Sequence, residues 1–588
     1  MTKIGKSANE GIKDASGYLR GTILDGLADA ATGSLSKDDQ QLTKFHGIYQ
    51  QDDRDIRKER RAKKLEPAYT FMIRVRVPGG VSTPEQWLEM DRIAQDHANG
   101  ALKLTTRQAY QFHGVIKSNL KKTIAEINES LFDTLAACGD VNRNVMCNPN
   151  PMQSKVHGEI LDLATEISDH LSPRTGAYHE IWLDDGTGEK VKVTYDPPKI
   201  DEVADPEEPI YGKHYLPRKF KTVIAVPPSN DVDIFAHCLG YIAILDGDDK
   251  VAGYNVTVGG GMGMTHGNEE TFPRLADVMG FCTPEQAVIV GEAVVRVQRD
   301  FGNRDVRTNA RLKYTVERMG IDAFREEVEK LCGFKLEKPR EFKFESNGDR
   351  YGWIEDHTGN FHYTMFVENG RVRDTEDYPM MTGLREIAKV HEGDFRLTAN
   401  QNLIIANISP KKKKEIEKLL TDYKMIDSHE RSGLRLNSMA CVSLPTCGLA
   451  LAESQRYLPD LVTELDDVLE EAGLRHDAIT IRMTGCPNGC ARPYIAEIGF
   501  VGRAPGKYNL YLGGGFAGQR LSKLYAPSVK STDVKTVLTP IINDYAKNRE
   551  DGERFGDFTI RAGYVKATNH GHDFHKDFVE PELAVQSA

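Results

Sequence analysis

Between Phe71 and Val77 the chain alternates: Phe71, Ile73, Val75 and Val77 fall on one side, and Met72, Arg74 and Arg76 on the other. Successive side chains of a strand point to opposite faces, so this period of two predicts a strand with one apolar face and two arginines sharing the other. The period then lengthens. Thr83, Pro84 and Gln86 supply an N-cap, a first-turn proline and a capping-box partner for a helix carrying Trp87, Met90 and Ile93.

The same pattern recurs further along. LTTRQAYQFHG from Leu104 is matched by LTANQNLIIAN from Leu397, and each follows one helix-like stretch and leads into another. FMIRVRVPGG from Phe71 parallels YTMFVENGR from Tyr363 as an opening strand, and GYNVTVGGG from Gly253 is echoed by KYNLYLGGG from Lys507. Repeats in the same order predict a doubled ancestral unit of about 250 to 300 residues. The expected fold is α+β, internally duplicated about a pseudo-twofold axis, with mixed and antiparallel sheets. An acidic, proline-containing stretch, Tyr195 to Ile210, reads as an inserted surface loop that accounts for much of the unequal spacing of the repeats.

A chain of 588 residues exceeds a single core. No apolar run reaches the roughly eighteen residues of a membrane span, and the polar N-terminus has no secretory pattern, so a cytoplasmic protein is expected. A net charge of -11 argues against nucleic-acid binding. Nine cysteines form an odd, sparse set unlike a disulfide framework. Cys138, Cys147, Cys238, Cys282 and Cys332 are scattered and read as core thiols.

The other four are grouped. Cys441 and Cys447 lie in CVSLPTC, and Cys486 and Cys490 in CPNGC. Two close-spaced pairs can enclose one metal centre. Zinc prefers pairs two to four residues apart, which the first pair exceeds, whereas a four-iron cluster accepts wider spacing. Pro487 and Gly489 shape a turn that leaves backbone N–H groups for cluster sulfurs. A zinc site and four unrelated buried thiols stay open on spacing alone.

SMACVSLPTCGLALAESQR followed by TGCPNGCARP resembles the ligand signature of the sirohaem-dependent sulfite and nitrite reductases, and the similarity runs from KFHGIYQQDDRD at Lys44 through FGDFTIRAG at Phe555. The resemblance is nearest to the haemoprotein subunits of that family. It implies that Cys441, Cys447, Cys486 and Cys490 bind one 4Fe-4S cluster and that Cys490 also bridges to sirohaem iron. It further implies assimilatory reduction of sulfite to sulfide in cysteine biosynthesis, within a hetero-oligomer whose flavoprotein partner carries FAD and FMN and oxidises NADPH. A ferredoxin donor stays open. So does nitrite reduction to ammonia on the same scaffold, and a non-catalytic protein with a structural metal site.

By the same resemblance Arg74, Arg143, Lys219 and Lys221 match substrate-facing positions, and Arg76, Arg107, Gln111, Lys313, Gln401 and Asn488 match cofactor-side positions. Clustered cations suit the site, because sirohaem is a polycarboxylate and sulfite a dianion. Arg107 and Gln108 occupy the place of Asn400 and Gln401 in the second repeat, so both copies are expected to face one cofactor. The expected divisions are an N-terminal arm (1–70) available for partner docking, ferredoxin-like repeats at 71–135 and 351–428, a sirohaem and substrate domain at 136–350, and a cluster and sirohaem domain at 429–588.

Other signals carry less. GGGFAG from Gly513 fits a dinucleotide fingerprint, but its repeat partner GGGMGM lacks the third glycine and Pro527 interrupts the helix that should follow, so tight packing explains it better. The mixed-charge run from Asp52 to Lys64 and the lysines at 411–414 read as solvated helix.

Overall fold

The computed structural model describes residues 6–149, 154–184 and 208–578. The expected insertion lies outside them as far as residue 207. Four five-stranded sheets form two matched pairs.

In the first sheet the order is Ile48–Asp52, Tyr69–Arg74, Tyr110–Val115, Leu102–Leu104 and Arg371–Val372. Its counterpart runs Gly352–Glu355, Phe361–Met365, Leu403–Ile408, Asp394–Leu397 and Val81–Ser82. The last strand of each sheet therefore comes from the other repeat. Arg371 pairs with Lys103, and Arg396 with Val81. Just before each exchanged strand stands a glycine with positive φ: Gly80 at 75° and Gly370 at 67°. A Cβ on Gly80 would press on the Leu397 carbonyl, and one on Gly370 on the Leu104 carbonyl. The LT repeats thus meet each other's glycine turns. Gln108 and Gln401, equivalent in the repeat, are both buried with positive φ, 49° and 72°.

The remaining sheets share one topology. Met146–Cys147, Thr222–Ala225 and Leu239–Leu245 run parallel, followed by antiparallel Val251–Val258 and Asp277–Cys282. Ser438–Ala440, Ile481–Thr484, Ile498–Ala504, Lys507–Leu512 and Lys523–Lys530 repeat that arrangement. One large apolar core underlies both ferredoxin-like sheets and the first of these, and a separate core fills the last.

The capping box forms as expected: Gln86 N–H donates to Thr83 Oγ1 at 3.2 Å and Thr83 N–H to Gln86 Oε1 at 3.0 Å, opening the helix Pro84–His97. Trp87, Met90 and Ile93 are buried beneath it. The glycine fingerprint behaves as packing. Gly514 and Gly260, one in each repeat, leave no room for a Cβ against the backbone at Ala496 and at Phe235 and His237, and strand Lys523–Lys530 follows where a nucleotide site needs a helix.

The N-terminal segment is not the free arm expected. Leu19, Ile23, Phe45 and Ile48 join the main core, and Ile48–Asp52 is the edge strand of the first sheet, because it carries the apolar residues that cover that sheet's end. No helix among the described residues is long and apolar enough to cross a membrane. Lys413 also departs from expectation: its ammonium lies 4.2 Å from the Phe361 ring centroid rather than only in solvent.

Candidate cluster and oxyanion site

Both cysteine pairs follow the first two strands of the last sheet. Cys441 directly succeeds Ser438–Ala440, and Cys486 lies just past Ile481–Thr484; the two strands run parallel, so their C-terminal loops emerge side by side. Cys441 Sγ accepts from Gly485 N–H at 3.4 Å, and Cys486 Sγ from Asn488 Nδ2 at 3.5 Å. Burial, and next the neighbouring Cys490, push the thiols of Cys441, Cys447 and Cys486 upward, the last to about 11. That shared neighbour brings the four thiols to one place. Among the described residues no three His, Cys, Asp or Glu side chains converge as tightly as a single metal ion requires. A four-iron cluster, whose thiolates stand further apart, fits this donor set better than zinc.

The loops are braced from outside. Arg54, inside the charged run at Asp52 to Lys64, donates to the Ala450 carbonyl at 2.6 Å and the Cys447 carbonyl at 3.3 Å. Met264 N–H donates to Pro487 O at 2.8 Å, so the GGGMGM loop of the first repeat lies against the CPNGC turn of the second. Sequence reading missed Arg54, whose partners lie nearly four hundred residues away.

Cys490 itself is exposed, and the cation cradle stands beside it. Burial, followed by Arg218, Arg311 and Arg143, drives the Lys219 amine down to about 7, while Cys490 acts in the opposite sense. Lys221 is pushed well below the ordinary lysine value by burial and then by Lys219, Arg107, Arg311 and Arg143. Among the described residues neither ammonium has a hydrogen bond or ion pair. Lys219 and Lys221 precede the strand Thr222–Ala225 instead of lying in it, and they stand close enough that Lys219 is the first charge felt by Lys221. Arg143 donates to the Gly139 carbonyl at 3.1 Å, and Arg74 to Gln111 Oε1 at 2.7 Å and Cys138 Sγ at 3.1 Å. Asp140, a carboxylate neighbour of Arg143 and Arg218, is paired with Arg307 at 2.9 Å. The cradle therefore keeps surplus positive charge, which an anionic cofactor and an oxyanion would balance.

Among the described residues, Nε of Arg107, Nε of Arg311 and Oε1 of Gln401 are buried without partners. Half a turn of the Gln401 amide would present its N–H₂ instead. Such orphans fit a polycarboxylate. Arg107 is otherwise held by the carbonyls of Asn144 and Thr222 and by His237 Nδ1 at 3.3 Å. Arg311 is an addition that its lone position in the sequence did not signal.

Two expected cofactor-side cations are committed elsewhere. Arg76 does not share a destination with Arg74: the strand ends at Arg74, and Arg76 turns to Asp133 at 2.9 Å, Ser168 Oγ at 3.0 Å and Ser172 Oγ at 2.7 Å. Lys313 is fully buried, and its ammonium is capped by the carbonyls of Gly261, Gly263 and Phe272. It acts on the site through the loop it clamps.

Models described as the nitrite and sulphite reductase 4Fe-4S domain match residues 164–336 and 434–570, and models of the nitrite/sulfite reductase ferredoxin-like half domain match 63–130 and 354–423. The chain belongs to the nitrite and sulphite reductase family. The matches fall on both repeats, in agreement with the paired sheets. A Staphylococcus saprophyticus subsp. saprophyticus protein named sulfite reductase (NADPH) hemoprotein beta-component is 60% identical over 96% of this chain and 97% of its own length. An Anoxybacillus flavithermus protein of the same name is 59% identical over the same shares. The solved Mycobacterium tuberculosis NirA protein matches in fold, with a TM-score of 0.74 at 24% identity over 95% of this chain and 97% of that one.

Proposed function

We propose that this chain is the haemoprotein component of an assimilatory sulfite reductase, which reduces sulfite to sulfide with electrons passed through a 4Fe-4S cluster to sirohaem. The observation that carries the reading is the meeting at Cys490 of a four-thiol set and a cradle of unbalanced cations. The relatives' names support sulfite as the oxyanion.

Cys441, Cys447, Cys486 and Cys490 would hold the cluster, with Cys490 also ligating the haem iron. Arg107, Gln111, Gln401 and Asn488 would face the sirohaem, joined by Arg311. Bound, the two groups would relay electrons from the donor and provide the iron at which sulfur is reduced. The chain's own residues orient and protonate. The guanidiniums of Arg74 and Arg143 are fixed donors for an oxyanion. Lys219 and Lys221 would donate protons as each sulfite oxygen leaves as water; burial and the neighbouring cations depress both amines in the empty pocket, and a bound anion would favour their ammonium form.

We take the electrons to come from a separate subunit; the glycine run at Gly513 leads into strand Lys523–Lys530 instead of the helix a dinucleotide site needs. The beta-component name of the relatives supports an alpha-component partner in a hetero-oligomer. We take that donor to be a flavoprotein carrying FAD and FMN that oxidises NADPH, acting with this chain in the cytoplasm.

Protein purified from cells that make sirohaem is expected to show a haem spectrum and acid-labile sulfide, and to turn over sulfite with reduced methyl viologen at higher kcat/KM than nitrite. A colourless, sulfide-free protein would overturn the reading; a preference for nitrite would move it to that substrate.

A further inference from the structure

The two α/β sheets can be superposed residue for residue through their parallel strands. Thr222 pairs with Leu239 in the first as Ile481 pairs with Ile498 in the second. Carried along the chain, that register sets PPSNDVD over CPNGCAR. Asp231 then falls on Cys490, and Asp233 on Arg492. Local geometry agrees, since Asp233 and Arg492 each cap a one-turn helix, Ile234–Ala236 and Pro493–Ile495, from the left-handed region at φ 51° and 54°.

These equivalent residues touch. Nε of Arg492 bonds Oδ2 of Asp233, all within the interior. Contact between mates means that the pair stands on the pseudo-twofold axis. The other ends of the guanidinium obey the same symmetry: one amino group donates to the Thr106 carbonyl at 3.0 Å, and the other to the Ala399 carbonyl at 2.9 Å, at matching places in the LTTRQ and LTANQ repeats. Arg482 at 2.7 Å and Asn347 at 2.9 Å complete the shell of Asp233.

One further bond connects this centre to the metal side. Thr106 Oγ1 donates to the Cys490 carbonyl at 3.1 Å. Arg492 holds Thr106, Thr106 holds Cys490, and the backbone Cys490–Ala491–Arg492 closes the ring. The peptide that carries the Cys490 thiol is thus pinned from both halves of the molecule.

We infer that the Asp233–Arg492 pair and Thr106 are positioning residues that fix the direction of the Cys490 thiol relative to the two LT repeats. The inference rests on the sirohaem reading, in which that sulfur joins both centres. Groups one bond removed from a ligand set its orientation and potential, so a shift there is felt electronically before it is felt in folding. A buried charge pair removed on one side only is costly to stability, which makes the conservative changes the informative ones.

The test is Arg492→Lys and Thr106→Val in the full-length holoprotein, with wild type alongside. Both variants are expected to carry wild-type amounts of iron, acid-labile sulfide and sirohaem. Their haem absorption maximum, the magnetic signature of coupling between haem and cluster and the midpoint potential are expected to shift, while kcat for sulfite falls about tenfold with KM unchanged. Should Arg492→Lys fail to fold, Thr106→Val decides alone, since it removes only the bond to the Cys490 carbonyl. Fully loaded variants with wild-type spectra and potential would overturn the inference. A colourless wild type would instead overturn the cofactor reading on which it stands.

Discussion

Among the described residues Lys219 and Lys221 have no counter-charge, and this strain against burial is what an anion relieves. Lys221→Ala is expected to keep the haem colour and the iron content while sulfide production falls about a hundredfold, the scale of losing one fixed donor to developing charge. Turnover at the wild-type rate would remove that lysine from the reaction. The low value of Lys219, about 7, has a consequence for stability. Between pH 7 and the ordinary lysine range the unfolded chain binds a proton that the folded chain does not, so stability rises with pH across that window. Cofactor-free protein should therefore melt at increasing temperature from pH 7 to 9, and Lys219→Met should flatten the rise; parallel curves would refute the assignment. The cysteines were legible in the sequence because ligand spacing is local. Arg76 misled because alternation says which face a side chain leaves from, and not that Asp133 and the serines at 168 and 172 wait there.

At the scale of elements, the strand and helix after Phe71 were legible because period and cap chemistry are both short-range. Thr83→Ala should cost about 1 kcal/mol by chemical denaturation, through loss of the cap on Pro84–His97. The exchange of Val81–Ser82 and Arg371–Val372 between sheets was not legible, since two residues carry no periodicity and their partners lie nearly three hundred positions away. Its sign in the sequence is only the glycine before each strand. Gly80→Ala puts a Cβ against the Leu397 carbonyl at positive φ, and is expected to destabilise by about 1 to 3 kcal/mol. An unchanged unfolding midpoint would mean that the turn can relax without the exchanged strand.

For the whole molecule, the duplication was legible and the axis was not. Repeats revealed that two units exist, but the Asp233–Arg492 contact that marks where they meet joins unlike residues, and no self-comparison matches an aspartate with an arginine. Because each ferredoxin-like sheet is finished by the other repeat, neither half owns a complete set of strands. Residues 1–350 and 351–588 expressed separately are therefore expected to be insoluble or unfolded, and to recover haem colour when co-expressed. A folded single half, seen by a cooperative melt, would contradict this.

Asp231 standing where the other copy has Cys490 points to how the labour came to be shared. In a symmetrical ancestor each unit would have needed its own sulfur grip and its own catching surface. After doubling, one unit could surrender its thiols without the assembly losing its metal, and that unit is the one that supplies Arg74, Arg107, Arg143, Lys219 and Lys221. Gripping and catching could then be refined independently, each by changes that leave the other's chemistry untouched.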